Sequence, residues 1–316
     1  MKTALVTGGA GLLGGYLARA LSAGGFAVHL TAHRTPVSVA GCPSIGLDLT
    51  DRRTVEAAVE DVSPAVIVHT AAITDVDHCQ THRDEAWRVN VCGTQYLSRA
   101  AASAGAFFIY VSTDHVFDGA TGNYRETDRP APANWYGLTK LVGELAASRC
   151  LPEADIAIVR TSFYGPRRDG RGFFGRCLAA LGAGQGLEAA DDLFSSPLPV
   201  TVLAKAMVEL AGRRLAGIHH IAGADRSSRY EFALAVAKVY GLDASLVRPR
   251  PAKDLNLPGP RPRDVSLCVR QAQERLRVRL PTLVNGLEEM AVSGTVTEGT
   301  VTEGAATEGA GDGAGR

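Results

Sequence analysis

The chain has 316 residues, 46% of them hydrophobic, and 33 Lys+Arg balance 33 Asp+Glu. That length suits one large domain or a domain with a cap, with apolar residues enough for a sizeable core. The even charge speaks against a polyanion-binding surface, so no nucleic-acid partner is expected, and no apolar run is long enough to span a membrane.

The first apolar run, Thr3–Val6, leads into TGGAGLLGGYLARAL. Gly8, Gly11 and Gly14 are spaced G-x-x-G-x-x-G between a strand and a helix. Glycines in such a turn let the backbone approach a pyrophosphate, whose charge sits at the helix N-terminus. The plainer reading is a glycine-rich turn that only packs a helix. The position at the start of the chain, in strand–turn–helix context, favours dinucleotide binding. The spacing differs from the G-x-G-x-x-G fingerprint. The next strand, Phe26–Leu30, ends in Thr31-Ala32-His33-Arg34, and no acidic residue occurs before Asp48. An NAD site would place Asp or Glu there for the ribose 2′-hydroxyl. Arg34 could instead face a 2′-phosphate, which favours NADP(H); its alternative is a solvated loop arginine.

Ser44–Leu49 runs into DLTDRRTVEAAVED, with a helix expected over Thr50–Asp61. Asp48 either accepts from an adenine amino group or begins the turn before that helix, where Thr50 or Asp51 is a natural cap. Ala65–His69 is a further buried strand, followed by Thr70-Ala71-Ala72, whose small side chains let a backbone pass close to a ribose. His69 reads as a satisfied strand-end histidine. Asp75, Asp77, His78, Cys79 and His82 crowd into eight residues, but their spacing matches no zinc pattern, and the run reads as a loop entering a helix. No metal is expected. A long helix follows over Arg83–Ala104. Its Asn90 could order a water or backbone beside a catalytic group, or make a simple polar contact under the sheet.

Strand and helix thus alternate, which implies a doubly wound parallel sheet with its ligand beyond the strand carboxyl ends. The fifth strand, Phe107–Val111, ends at Ser112-Thr113 on that edge. Beyond it YGLTK puts Tyr136 and Lys140 four residues apart, on one face of a helix. An ammonium beside a phenol favours the phenolate, so Lys140 is expected to lower the tyrosine pKa. Thr113, Tyr136 and Lys140 would serve as hydrogen-bond donor, general acid and tuning charge. An amphipathic helix with a surface lysine is the alternative. The convergence of the glycine turn, Ala71-Ala72 and Thr113 on one edge argues against it. The six cysteines, Cys42, Cys79, Cys92, Cys150, Cys177 and Cys268, show no C-x-x-C pair and read as reduced thiols of a cytoplasmic protein.

TGGAGLLG, STDHVFDG and YGLTK together resemble the extended short-chain dehydrogenase/reductase superfamily, and STDHVFDG narrows the likeness to the dTDP-4-dehydrorhamnose reductase branch. That branch also holds a non-catalytic relative, the regulatory beta subunit of methionine adenosyltransferase. The resemblance implies a Rossmann-type doubly wound parallel sheet with a smaller C-terminal substrate-binding α/β subdomain. Residues 1–165 would form the NADP-binding core and 166–291 mainly the substrate subdomain, with segments returning to the core. It implies that Gly8, Gly11, Leu12, Leu13, Gly14, Arg34, Asp48, Leu49, Ala71, Ala72 and Asn90, with Tyr136 and Lys140, hold NADP(H). Arg160-Thr161-Ser162 would close around the nicotinamide. Asp114, Val116, Phe117, Asp192, Pro197 and Arg261 would face a nucleotide-linked deoxysugar.

The C-terminal part fits that resemblance more loosely. In the rhamnose enzymes a segment resembles D-Q-x-G-x-P-T; here Asp192 and Pro197 match, while Leu193, Ser195 and Leu198 replace Gln, Gly and Thr. The later R-P-x-x-S-x-L motif has Val265 at the usual Ser. The implied activity is NADPH-dependent reduction of a 4-keto-6-deoxysugar nucleotide, with a related sugar able to replace dTDP-4-dehydrorhamnose. An epimerase or dehydratase with retained NAD, or a regulatory NADP-binding subunit, are the alternatives. A homodimer is a family expectation.

From the residues alone, helices are expected over Gly170–Leu181, Thr201–Arg213, Ser228–Tyr240 and Leu280–Met290, with a strand at Gly217–Ile221. The Pro/Arg-rich stretch from Ala244 to Arg263 reads either as a diphosphate-binding loop or as a solvated basic one. From Val292 the composition changes to TVTEG repeats without aromatics, and residues 292–316 read as a disordered tail that activity does not need.

Overall fold

The computed structural model describes residues 1–33, 39, 41–167 and 170–293. Arg34 and residues 294–316 therefore lie outside the described residues. Six strands open the fold: β1 (Lys2–Thr7), β2 (Phe26–Ala32), β3 (Ser44–Gly46), β4 (Val66–His69), β5 (Phe107–Val111) and β6 (Ile156–Arg160). With Gly217–His220 they form a seven-stranded sheet in the order β3, β2, β1, β4, β5, β6, Gly217–His220. Every pairing in it is parallel. A parallel sheet is covered on both faces, so its strands carry near-continuous apolar runs; all five residues of β5, FFIYV, are buried.

Alternation along β1 divides the core. Ala4 and Val6 face a cluster containing Leu17 of α1 (Leu12–Ala23). Leu5 faces the opposite cluster, with Val55 of α2 (Arg52–Val62). Asp51 caps α2 by accepting the Arg53 N–H at 2.9 Å, one of the two caps expected.

The run expected as a loop entering a helix, Asp75–His82, is already mostly helix, α3 (Val76–Thr81), capped by Asp75, which accepts from the Asp77 and His78 amides at 2.9 Å each. The capping carboxylate is what stabilises so short a helix. His78 pairs with Glu85 at 2.8 Å and stacks on His82, and Cys79 is buried. The long helix after it is divided into α4 (Arg83–Trp87) and α5 (Gly93–Ser103) by a π-helical turn, Arg88–Cys92. Next comes α6 (Trp135–Cys150), whose Ala147 packs on the Leu5 face.

The C-terminal part builds its own core from α7 (Phe173–Gly182), α9 (Arg229–Val239) and α11 (Leu283–Val292), with Phe174, Phe232, Val236, Leu287 and Met290 at its centre. Two segments from the same stretch of chain pack on the sheet instead: α8 (Val200–Arg213), through Leu203 and Met207, and α10 (Arg270–Arg275), through Ala272. Ser228 caps α9 in a reciprocal capping box with Glu231. The last helix reaches Val292, two residues beyond the expected Met290.

Candidate active site

The strand order reverses between β1 and β4, and there the loops after the two strands part to leave a crevice. A cavity of about 960 Å³ occupies it. Gly8, Ala10, Gly11, Leu12 and Leu13 line one wall. Ala32, His33, Asp48 and Leu49 lie at one end, Ala71 and Ala72 along the floor, and Thr113, Tyr136, Lys140, Thr161 and Ser162 at the other. The turn from β1 aims the N-terminus of α1 into this space, an arrangement that favours an anion.

Gly14 does not line the cavity. A Cβ on it would sit 2.3 Å from the Gly8 carbonyl oxygen, so its lack of a side chain lets α1 pack against the turn. Asn90 also stands back. The π turn directs its amide under the loop after β4, where it accepts from Ile73 N at 2.8 Å and donates to Ile73 O and Thr139 Oγ1 at 3.0 Å each. It therefore acts on the cavity through the Ile73 backbone. Asp48 lines the cavity while its carboxylate accepts from Thr50 N and Oγ1 at 2.8 and 2.7 Å, so the turn and the cavity edge coincide. His69 is buried, bonded to Thr7 and Thr94.

The three chemical groups meet because β5 and α6 end side by side. Asn134 caps α6 by accepting the Gly137 N–H at 2.8 Å. A Cβ on Gly137 would lie 2.0 Å from the His115 carbonyl oxygen, so only glycine allows the helix to approach the turn after β5 this closely. Beneath them Glu144 and Arg160 form a buried bidentate pair at 2.7 and 3.0 Å, joined by the Ser112 hydroxyl. Loss of either partner would leave an uncompensated charge, at a cost of about 3–5 kcal/mol. Arg160 is thus structural, whereas Thr161 and Ser162 face the cavity. The Thr161 hydroxyl is buried without a hydrogen-bond partner among the described residues.

The expected tuning of Tyr136 by Lys140 is not what the geometry produces. Burial pushes the phenol above its ordinary value, with only a hydrogen bond to Thr113 opposing. The Lys140 ammonium lies over the Tyr110 ring, 4.1 Å from its centroid. Burial pushes Lys140 down to about 7, against the pull of Glu144. For each group desolvation outweighs what its neighbours return. Tyr136 therefore holds its proton at neutral pH, the state required of a proton donor.

The motif after β5 divides. Thr113 caps a single 3₁₀ turn, Asp114–Val116, accepting from His115 N at 3.2 Å and donating to Asp114 Oδ1 at 3.1 Å. Asp114 and His115 line the cavity. Val116 and Phe117, expected at the substrate, are fully buried in the core instead, Phe117 stacked on Tyr124 at 4.2 Å. The tight turn reverses the chain and sends these two apolar side chains inward. Burial pushes the Asp114 carboxyl up to about 7, with Thr113 and Arg229 opposing.

A second compartment of about 440 Å³ adjoins the first at Val76, Asp114, His115, Ser162 and Arg229. Arg176, Arg229 and Arg261 line it, with Phe194 and Leu257. Arg261 was expected there. Asp192 lies outside the lining; its carboxylate accepts from Ala252 N at 2.8 Å and fastens one loop to another. Pro197 borders a smaller side pocket beside Phe174 and Phe232. Arg229, Arg176 and His115 were not singled out in the sequence. The Ser228–Glu231 capping signature marks the helix start that carries Arg229, but nothing local says what that start faces.

The sequence pattern of the RmlD substrate binding domain family matches residues 1–295. The chain belongs to the dTDP-4-dehydrorhamnose reductase family. It is 36% identical to a dTDP-4-dehydrorhamnose reductase of Mycobacterium tuberculosis over 252 residues, 77% of this chain and 81% of that one. It is 33% identical over 289 residues to a probable low-salt glycan biosynthesis reductase of Haloferax volcanii, covering 90% of this chain and 95% of the relative. Among solved structures, the dTDP-4-dehydrorhamnose reductase of Bacillus anthracis in complex with NADP superposes with a TM-score of 0.83 at 26% identity, covering 92% and 99% of the two chains. The parallel sheet and separate C-terminal α/β region described above are the architecture of this reductase family. Among the described residues no helix is long and apolar enough to cross a membrane.

Proposed function

We propose that this protein reduces the 4-keto group of a nucleotide-activated 6-deoxysugar, using NADPH. The observation that carries the reading is the convergence of Thr113, Tyr136 and Lys140 at one end of a cavity whose wall is the Gly8–Leu13 turn. The residues fit a dinucleotide. The turn offers backbone amides at a helix N-terminus to a pyrophosphate, and the unpartnered Thr161 hydroxyl and the Lys140 ammonium both border the space where a nicotinamide riboside would lie.

NADPH, when bound, supplies the hydride for the carbonyl carbon. Tyr136 gives its phenolic proton to the carbonyl oxygen, so the C=O becomes CH–OH and the phenolate recovers a proton from solvent. The Thr113 hydroxyl turns from Asp114 to the same oxygen and donates to it as negative charge develops. Lys140 steadies the resulting phenolate. The arginines of the second compartment, Arg176, Arg229 and Arg261, suit the diphosphate of the sugar nucleotide. The same reading carries a homodimer, which analytical ultracentrifugation checks, in the cytoplasm, which cell fractionation checks.

The test is NADPH absorbance with purified protein and freshly generated dTDP-4-dehydrorhamnose, NADH run in parallel. Oxidation is expected, and Tyr136→Phe is expected to lose roughly 10²-fold or more of turnover, in line with general acid catalysis. Tight NADPH binding with no oxidation of it by any 4-keto-6-deoxysugar nucleotide would point to a binding subunit and reject the reductase.

A further inference from the structure

We infer that His115 is a substrate-binding residue whose Nε2–H donates to a ring hydroxyl of the bound sugar, and that it thereby selects for sugars presenting that hydroxyl. The inference rests on the reading of the cavity as a nucleotide-sugar site.

The tautomer follows from three neighbours. Asn134 Oδ1 accepts the Gly137 peptide N–H at 2.8 Å, and Asn134 Nδ2 lies 3.1 Å from the Pro260 carbonyl oxygen. A peptide N–H can only donate and a carbonyl can only accept, so both ends fix the orientation of this amide. The same Nδ2 lies 3.0 Å from His115 Nδ1, which must therefore accept. A neutral imidazole that accepts at Nδ1 carries its proton on Nε2.

Nε2 takes no hydrogen bond from the described residues. The ring is half-buried and lines both compartments, at the place where they meet. It stands edge-on to Tyr136, 5.7 Å between ring centroids, beside the proton donor. Burial, with Arg229 and Arg261 adding to it, pushes the imidazole down to about 3, so the donor stays neutral at any working pH. A neutral donor beside the reacting centre suits an uncharged sugar oxygen, whereas the three arginines beyond it suit charged groups.

His115→Gln, His115→Asn and His115→Phe separate the roles. The glutamine amide nitrogen reaches the place of Nε2, the asparagine amide only that of Nδ1, and phenylalanine keeps the ring without a donor. The measurement is calorimetric binding of dTDP-L-rhamnose to the NADP⁺-loaded protein, with NADPH affinity and Tm followed alongside. Loss of one neutral hydrogen bond corresponds to about three- to tenfold in Kd. That loss is expected for Phe and Asn, with Gln recovering most of it and NADPH affinity unchanged in all three. Removal of the 2- or the 3-hydroxyl from the ligand should weaken wild type by the same factor and leave His115→Phe unaffected. Equal weakening by all three variants, or none, overturns the inference, as does a Phe variant that still discriminates both deoxy ligands. Because binding is read apart from turnover, a wild type that binds the sugar without oxidising NADPH would fail the reductase reading alone. Should Phe not fold, the Gln and Asn pair decides.

Discussion

Asp77 and Arg261, 184 residues apart in the chain, form a two-pronged ion pair at 2.9 Å on each arm, and the same Asp77 carboxylate accepts the Gly259 N–H at 2.8 Å. The pair ties the Pro/Arg-rich loop of the C-terminal part to α3, at the edge of the second compartment. The hydrogen bonds from Arg261 hold the Asp77 carboxyl below its ordinary value. Arg261 is thus presented to the compartment on a fixed arm.

Asp77→Asn keeps the shape and removes the charge. With both side chains partly exposed, the pair contributes about 1 kcal/mol or less. KM for the nucleotide sugar is expected to rise severalfold while NADPH affinity holds, because the loop lies away from the dinucleotide wall. Steady-state kinetics against each substrate in turn would show the split; a parallel rise for both would contradict it.

Two buried charges give the ligand-free protein opposite slopes of stability with pH. Asp114 goes from 3.8 to about 7 on folding. Between those values the native state binds more protons than the unfolded one, so stability falls as pH rises through that window. Lys140 goes from 10.5 to about 7, so between about 7 and 10 the unfolded state binds more protons and stability rises with pH. Asp114→Asn should melt higher than wild type at pH 8 and match it near pH 4. Lys140→Met should melt higher at pH 6 and converge toward pH 10. Thermal melts across pH without cofactor provide the check.

Gly14→Ala forces a methyl group onto the Gly8 carbonyl oxygen and the Gly9 Cα, at 2.3 and 2.7 Å. Overpacking of this kind costs about 1–3 kcal/mol. A lower Tm and at least a tenfold weaker NADPH affinity are expected, since the displaced turn is the pyrophosphate wall. Gly15→Ala, one residue on, meets nothing within 4 Å. It should be neutral or stabilising by up to about 1 kcal/mol, as alanine in a helix is.

A chain ending at Ser293 should keep full turnover and Tm. Met290, at 1% exposure, is the last residue of the C-terminal core, and α11 runs to Val292. A cut before Val292, which composition alone suggests, would trim the helix end. Loss of turnover in the protein cut after Ser293, with folding intact, would assign the remaining residues a role.

The sequence alone was enough for the alternation of strands and helices, the glycine turn and the Tyr136–Lys140 spacing. Each is a local pattern, set by side-chain periodicity or by steric demands within a few residues. The same local rules narrowed the cap of α2 to Thr50 or Asp51, and the fold uses Asp51. Which face a residue finally presents was another matter. Within STDHVFDG, Asp114 and His115 turn to the cavity while Val116 and Phe117 enter the core, because a single 3₁₀ turn rotates the chain. Asn90 serves the site only through Ile73, because a π turn interrupts its helix. The protonation of Tyr136 and Lys140 follows burial, which no i, i+4 spacing reveals. The tautomer of His115 depends on Asn134 and, through it, on Pro260, 126 residues further along. Such contacts form only when the C-terminal loop closes over the sheet edge, so the chemistry was legible in the chain while its polar environment was decided by tertiary packing.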